Sequence, residues 1–424
     1  IKLYFPIKLL RGKVRREMGK AYLIFKIFFF LGVTSFGGPT AHIGYLHNKF
    51  VDDKQWFSSK DFSDLVTMCQ FFPGPTSSQV VYSIGLIRMG FRGGLLAWLG
   101  FILPSACLMI TLAYGVNILS SSSQSGFFQG LISVSVPVVA IAVWQMGRSL
   151  CIDVFHRLIA VTTVVLLMIL EPGIGHLTAI FFGLVSGFFL RISKETFEPS
   201  KIKFVLGNRL RITLIALFFL LLILTIIVSK IEISQDLTLF ANLYKTGTLV
   251  FGGGHVVLPL LETDFVSTDI LGKDEFLAGY GFAQAIPGPL FSFVAYCGTL
   301  MKLLEQNIWF PAIFGIICVF FIYIPTFLII PIALWLWSKL CLNLRIRAVF
   351  SGISAAVVGL LAHSFIFHIA PFCLSSKINI LLVFIGFIML GLFKLPSWSV
   401  VLTLGSFGWA FHTIANRINF FVNF

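Results

Sequence analysis

Charged residues are scarce in this sequence. Only 11% of its 424 residues are Asp, Glu, Lys or Arg, whereas 58% are hydrophobic and 48 are phenylalanine. About a quarter of the residues in a soluble domain are charged, so this composition excludes a soluble globular protein. It predicts an all-α polytopic membrane protein surrounded by membrane lipid. The net charge of +14 comes from cations in short loops between apolar runs, so it indicates membrane topology rather than a nucleic-acid partner.

Several chemical signatures are also missing. The seven cysteines form no CxxC pair and the eight histidines show no HxxxH spacing, so neither a disulfide nor a metal site is predicted. The sequence contains no GxxxxGK[ST] phosphate loop, which argues against a nucleotide-driven pump. Residues 1–20 carry seven Lys or Arg and lack the apolar region of a signal peptide. We therefore predict no catalytic residue, no metal and no cofactor, and the chain is not expected to be an enzyme.

The predicted repeat and the candidate site both depend on a helix-breaking motif inside an apolar run. Residues 69–79 read Cys-Gln-Phe-Phe-Pro-Gly-Pro-Thr-Ser-Ser-Gln, and the surrounding run 62–86 contains one charge, Asp64. Proline removes a backbone donor and clashes with the preceding turn, so a helix cannot pass through Pro73 and Pro75 undisturbed. Backbone freed at membrane depth must be buried in protein or line a wet cavity. The motif thus predicts a broken helix near the midplane.

The same features occur twice along the chain. Pro287-Gly-Pro289 repeats Pro73-Gly-Pro75 at an offset of 214, and Phe251-Gly-Gly253 repeats Phe36-Gly-Gly38 at 215. Agreement in order and spacing indicates an internal duplication. We expect about 13 transmembrane helices, arranged as two repeats joined by a linker helix. The predicted units are a basic tail (1–20), a first repeat (21–200), a basic linker with its transmembrane helix (201–236) and a second repeat (237–424).

Loop charges predict how the repeats are oriented. In the first repeat the loops at Arg88 and Arg148 are basic, whereas the loop 117–125 has no Lys or Arg. The counterpart of that uncharged loop in the second repeat carries Lys339 and Arg345. Because cytoplasmic loops collect Lys and Arg, the N-terminus is predicted to be cytoplasmic and the second repeat inverted. Inverted-topology repeats with broken helices are typical of secondary transporters.

These motifs also resemble a known family. Residues 35–45 (Ser-Phe-Gly-Gly-Pro-Thr-Ala-His-Ile-Gly-Tyr), 69–79 and 100–105 are similar to the first half of the chromate ion transporter family, and residues 249–261 and 276–289 to its second half. The resemblance implies the two-domain bacterial form, a multi-pass inner-membrane antiporter that exports chromate against protons and confers chromate resistance. At residues 52–56 the chain has Asp-Asp-Lys-Gln-Trp where the family tends to place arginines, so a basic anion funnel is not predicted there.

The helix breaks are also the candidate substrate site. A tetrahedral dianion is costly to place in hydrocarbon unless dipoles are already in position, and helix N-termini supply unpaired N–H groups with partial positive charge. Two glycine motifs and two helix restarts could provide four such ends. The candidate substrate-binding residues are Gly37, Gly38, Pro39, Thr40, His42, Gln70, Pro73, Gly74, Pro75, Thr76, Ser77, Ser78, Gln79, Gly252, Gly253, Gly254, His255, Gln284, Pro287, Gly288, Pro289 and Ser292.

Three interpretations remain open at this point. The first is a carrier for chromate, sulfate or another oxyanion, working by alternating access. The second is an anion channel, which would need a continuous polar pore instead of two broken sites. The third is an integral-membrane enzyme, which would need a converging Ser/His/Asp set or a metal cluster. Chromate or a similar tetrahedral oxyanion dianion is the expected ligand, and a homodimer is an open alternative for the assembly.

Overall fold

The structure, a computed structural model, describes residues 5–119, 125–170, 172–190, 204–231, 234–251, 254–268, 270–303, 307–340, 343–374 and 376–422. Within these ranges all regular secondary structure is helical, which confirms the all-α prediction.

Seven helices form the first half of the chain. They are α1 (Phe5–Thr34), α2 (Gly38–His47), α3 (Ser59–Phe71), α4 (Thr76–Leu119), α5 (Ser125–Leu150), α6 (Val154–Ile169) and α7 (Pro172–Phe188). Met89 and Gly90 have non-helical backbone angles, so α4 consists of two arms, α4a (76–88) and α4b (91–119). A π-helical turn, Asn48–Asp53, extends α2.

The second half contains the remaining helices. They are α8 (Asn208–Ile231), α9 (Gln235–Leu249), α10 (Val257–Phe265), α11 (Lys273–Ala285), α12 (Phe293–Met301), α13 (Phe310–Leu340), α14 (Leu344–Ser364), α15 (Ala370–Cys373), α16 (Lys377–Phe387) and α17 (Ser397–Val422). A π-helical turn, Phe365–Ile369, joins α14 to α15, and a second one, Ile388–Leu392, extends α16.

The Pro-Gly-Pro motif of the first half is the tip of a helical hairpin. Its arms α3 and α4a run antiparallel, and Cys69 Sγ lies 3.7 Å from Ser83 Oγ across them. The guanidinium of Arg88, at the end of α4a, stacks 4.3 Å from the centre of the Trp56 ring, which precedes α3. The first arm therefore starts, and the second arm ends, at the same end of the bundle. The 13 residues of α3 extend about 20 Å, which reaches roughly the middle of a bilayer.

Helices α1 and α2 form a similar broken hairpin. The chain reverses after Thr34, and the rings of Phe28 in α1 and Phe50 after α2 are 5.1 Å apart. Helix α1 then runs beside α4b, where Gly32 packs against the backbone of Phe101. The absence of a side chain at Gly32 permits this close helix contact.

The second half repeats this arrangement upside down. Helices α11 and α12 form a hairpin with its tip at Pro287–Pro289, and the rings of Phe276 and Phe293 meet across it at 5.0 Å. Lys302, after α12, forms a 2.9 Å ion pair with Asp236 at the start of α9. Beside this end of the second half, the Tyr114 hydroxyl near the end of α4b donates to the carbonyl of Ile308. The second pair of hairpins thus enters from the end opposite to the first.

Cationic side chains mark one end of the bundle. Arg211 stacks on Trp335 at 4.2 Å, which places the start of α8 beside the last turns of α13. Arg345 lies 5.8 Å from the ring of Phe188, which places the start of α14 beside the end of α7. We call the end that holds Arg88, Arg211 and Arg345 the basic end, and the end that holds Lys302 and Tyr114 the far end.

The long helices between these ends are suited to a bilayer. Five helical stretches are long and apolar enough to cross a membrane, at 76–116, 126–150, 208–229, 310–337 and 344–373. This confirms a polytopic membrane protein. Helix α8 lies at the periphery with exposed apolar side chains such as Phe219 and Leu220. It contacts α9, where the Tyr244 hydroxyl donates to the carbonyl of Phe218 at 2.9 Å.

The two halves are interlocked through glycine contacts. Helix α5 of the first half packs on α17 of the second, with Gly126 against the backbone of Gly408. Helix α14 of the second half packs on α7 of the first, with Gly352 against Gly183. Each half thus packs one of its helices against a helix of the other half by close backbone approach.

The predicted helix breaks near the midplane are present as hairpin tips. An apolar run of about 25 residues with a break is long enough either to cross the bilayer once or to form a hairpin of two half-length helices. In the structure it forms the hairpin. Helices α6, α7 and α16 are apolar but shorter than the five long stretches.

Candidate functional site

The tips of the two Pro-Gly-Pro hairpins are joined to the opposite repeat by crossed hydrogen bonds. The Gly74 N–H donates to the carbonyl of Val250 at 2.7 Å, and the Gly288 N–H donates to the carbonyl of Ser35 at 2.8 Å. Ser35 and Val250 each directly precede a Phe-Gly-Gly motif. The structure therefore brings all four helix breaks together at the interface between the repeats. We call residues 73–75 elbow 1 and residues 287–289 elbow 2.

Glycine is required at both elbows for two reasons. Gly74 has a φ angle of 129° and Gly288 one of 105°, in a region that other residues rarely adopt. A β-carbon on Gly74 would lie 2.6 Å from Thr326 Oγ1, and one on Gly288 would lie 2.7 Å from Ser105 Oγ. Each elbow is thus pressed against the long helix of the other repeat, with no room for a side chain.

The turn before α2 is also built from glycine. Gly37 and Gly38 have φ angles of 97° and 77°. A β-carbon on Gly38 would lie 4.0 Å from Nε2 of His255, which belongs to the second repeat. The N-terminus of α2 therefore faces the other half of the protein.

Two histidines lie beside these breaks, His42 buried and His255 half-buried. His42 Nε2 is 3.1 Å from the carbonyl of Ser35, to which it donates, and Nδ1 is 3.4 Å from Ser77 Oγ. His255 Nδ1 is 2.8 Å from the hydroxyl of Tyr280. His42 joins the first glycine turn to the restart of α4a, so it fixes the two breaks of the first repeat relative to each other.

Elbow 1 carries a polar cluster that elbow 2 lacks. The side chains of Thr76, Ser77, Ser78 and Gln79 are all buried. Ser78 Oγ is 2.9 Å from the Tyr323 hydroxyl, and Gln79 Nε2 donates to the carbonyl of Pro73 at 2.5 Å. The aligned positions in the second repeat are Leu290, Phe291, Ser292 and Phe293.

Some polar atoms of this cluster have no protein partner. Thr76 Oγ1, Gln79 Oε1 and Thr326 Oγ1 are buried without a hydrogen bond. A buried unsatisfied polar group costs about 1–3 kcal/mol, so three of them around one elbow favour a partner from outside the chain. A hydroxyl can donate to an anion or accept from water, so these atoms suit a polar solute.

The remaining predicted site residues divide into three groups. Gln284 is buried near elbow 2 and its Nε2 has no partner, and Ser292 is buried in the single 3₁₀ turn before α12. Gln70 is exposed on α3 and lies outside the cluster. Gly252 and Gly253 lie outside what the structure describes, as do the side chains of Pro39 and Thr40. Gly254 begins the short 3₁₀ turn before α10. The elbows themselves are framed by Pro73, Pro75, Pro287 and Pro289.

Several residues at the interface were not predicted from the sequence. Ser105 and Thr326 meet the elbow of the opposite repeat, and Tyr280 and Tyr323 bond to site side chains. A signal for the first two was present, because each follows one of the aligned prolines 104 and 325. The tyrosines had no comparable signal.

The arrangement is suited to binding a negatively charged solute. The N-termini of α2 and α4a, and the short 3₁₀ turns at 254–256 and 290–292, all begin at the interface. The first N–H groups of a helix have no intrahelical acceptor and carry partial positive charge. Glycine at each break lets a ligand approach this backbone closely.

An all-α bundle of two oppositely oriented repeats, with broken helices meeting at their interface, is an architecture of membrane transporters. The family model for chromate transporters matches residues 22–188 and 237–409, so the chain belongs to the chromate transporter family.

Individual relatives agree with this assignment. The chain is 25% identical over 407 residues to the chromate transport protein of Pseudomonas aeruginosa, covering 91% of both chains. It is 26% identical over 339 residues to a probable chromate transport protein of Synechococcus elongatus, covering 78% of this chain and 80% of that one. It is 25% identical over 277 residues to the chromate transport protein of Cupriavidus metallidurans, covering 64% and 65%. No solved structure gives a significant match to the chain.

Proposed function

We propose that the chain is a secondary active transporter that exports chromate from the cytoplasm by alternating access, and that sulfate-like dianions of the same shape compete for its site. The observation that carries this proposal is the pair of crossed bonds between Gly74 and Val250 and between Gly288 and Ser35. They link two similar hairpins that enter from opposite ends. A rearrangement that loosens one elbow and keeps the other would open the interface to one end at a time.

Membrane energetics favour the outward direction. Moving a dianion out of a cell whose interior is negative by 100 mV releases about 4.6 kcal/mol, at about 2.3 kcal/mol per charge. Chromate export therefore needs no nucleotide. Exchange for protons would add to this driving force, and His42 and His255 supply imidazole groups beside the helix breaks to carry them.

The proposal includes an orientation and a location. We place the basic end at the cytoplasm of the bacterial inner membrane, because cytoplasmic loops collect Lys and Arg. The N-terminus is then cytoplasmic and the C-terminus periplasmic. Residues 21–200 and 237–424 would act as the two moving repeats, with residues 201–236 as the connection between them, and the proposed assembly is a single chain or a homodimer.

The test is uptake of chromate into everted membrane vesicles that contain the protein. We expect uptake that depends on an imposed potential, is stimulated by a proton gradient and is inhibited by sulfate. Vesicles with the Gly74→Ala variant at the same protein level serve as the control. Currents far above carrier rates would support a channel instead, and uptake equal to that of the control would reject transport of chromate.

A further inference from the structure

A cavity at the far end lies outside the elbows. It has a volume of 280 Å³, equal to roughly nine water molecules. The first repeat contributes Leu167 and His176 from the far-end turns of α6 and α7, and the second contributes Pro259 and Glu262 from α10 and His363 from α14. The cavity is therefore a second point at which the repeats face each other.

Three histidines line this cavity. His363 and His368 lie with their rings 5.6 Å apart, and His176 completes the set. Glu262 is balanced, since its Oε1 is 3.3 Å from Lys273 Nζ. Its other oxygen accepts from Ser364 Oγ at 3.5 Å.

The second carboxylate near the cavity is balanced as well. Asp264 accepts a 2.7 Å hydrogen bond from Thr246 Oγ1, and Lys245 is close enough to act on both Asp264 and His176 electrostatically. With Glu262 and Asp264 each matched by a lysine, the histidines carry the charge of the cavity that changes with pH. The titratable and charged groups that face it are His176, Lys245, Glu262, Asp264, Lys273, Asp274, His363, His368 and Cys373.

We propose that this cavity is a second binding site for a tetrahedral oxyanion, held by His363 and His368 together with Ser364. Its ligand class rests on the proposed function, but its location does not. Protonation makes an imidazole cationic, so acid favours an anion in this cavity and alkali disfavours it. Anion binding and proton binding therefore reinforce each other here.

The carboxylate of Glu262 opposes anion binding in this cavity. Its Oε1 is 3.7 Å from His368 Nδ1, so it attracts the same protonated ring that an anion would use. Removing this negative charge should free both Lys273 and His368 for the ligand. A cation site would respond in the opposite direction, because it would lose its carboxylate ligand.

The test measures chemical modification of histidine in the purified full chain. Diethyl pyrocarbonate acylates neutral imidazole, and peptide mass spectrometry reports the yield at each histidine. At pH 6.5 we expect added sodium sulfate to protect His368 and His363 at least fivefold. His47, near the basic end beside Asp52, is the control and should not be protected. Equal modification with and without sulfate would overturn the proposal.

Variants extend the test to affinity. For the His363→Gln/His368→Gln variant we expect sulfate binding in the cavity, followed by calorimetry at pH 6.0, to weaken about tenfold, which corresponds to about 1.4 kcal/mol. The wild-type preference for pH 6.0 over pH 8.0 should also be lost. Glu262→Gln should bind more tightly at both pH values, and weaker binding by this variant would reject an anion site. Gel filtration of each variant checks its fold.

Two further experiments complete the test. The first distinguishes a free oxyanion from a lipid phosphate, and the second distinguishes failure of this site from failure of the proposed function. Protection in phosphate-free detergent only on adding sulfate supports a solute site, whereas protection in phospholipid nanodiscs without sulfate identifies a lipid phosphate as the occupant. Sulfate protection of His368 in a protein that does not transport chromate would reject the proposed function and retain this site. Transport without protection would do the reverse.

Discussion

A methyl group at Gly288 should loosen elbow 2 from the first repeat. The φ angle of 105° costs alanine about 1–3 kcal/mol, and the new β-carbon would lie 2.7 Å from both Cβ and Oγ of Ser105, an overpacking cost of about 1–3 kcal/mol. The hydrogen bond from Gly288 to Ser35 would shift with it. We therefore expect Gly288→Ala to destabilise the closed interface by about 2–6 kcal/mol in total.

A double-mutant cycle separates the two costs. Ser105→Gly removes both atoms that the new methyl group would meet, so it should recover about 1–3 kcal/mol in the Gly288→Ala background and leave the backbone strain. The assays are thermal unfolding in detergent and chromate flux in vesicles at matched protein levels. Gly44→Ala in α2 is the control, since its β-carbon would meet nothing within 4 Å. Additive effects of Ser105→Gly and Gly288→Ala would refute the packing of elbow 2 against α4b.

Three further predictions concern the site and the topology. Gly38→Val should abolish chromate flux without preventing membrane insertion, because the φ angle of 77° excludes a branched residue; normal flux would disprove a role for this turn. Pro73→Ala or Pro287→Ala should let the preceding helix extend and withdraw backbone donors, giving a clear loss of flux, and unchanged flux in both would argue against the elbows. Reporter fusions at Gln124 and Lys339 should report opposite sides, and a common side would reject the inverted arrangement.

The sequence contained enough information to predict the class, the duplication and the position of each helix break. Proline and glycine act locally, so Pro73-Gly-Pro75 predicts a break wherever the surrounding helices lie. It was not predictable in this way that α3 and α4a form a hairpin whose two open ends both lie at the basic end of the bundle. Hydropathy measures the length of an apolar run, and a 25-residue run fits either a crossing or a hairpin. The contact between Arg88 and Trp56 decides for the hairpin, and it forms only in the folded chain.

The two glutamines show the same limit at the level of the site. Gln70 and Gln284 occupy aligned positions before the two elbows, so the motif predicts the same role for both. In the structure Gln284 is buried on a helix that packs against α5, where Gly281 meets the backbone of Leu131, whereas Gln70 is exposed. Neighbouring helices therefore decide which copy contributes, and a repeat in sequence does not imply equal chemistry.

The crossed bonds at the elbows also constrain how the protein is made. When the first repeat has been synthesised, the acceptor of Gly74 is the carbonyl of Val250, which lies more than a hundred residues further along the chain. The Gly74 N–H of elbow 1 therefore lacks this acceptor in the bilayer until the second repeat inserts. The two halves, expressed as separate polypeptides, should consequently each be short-lived alone and persist only when they are produced together.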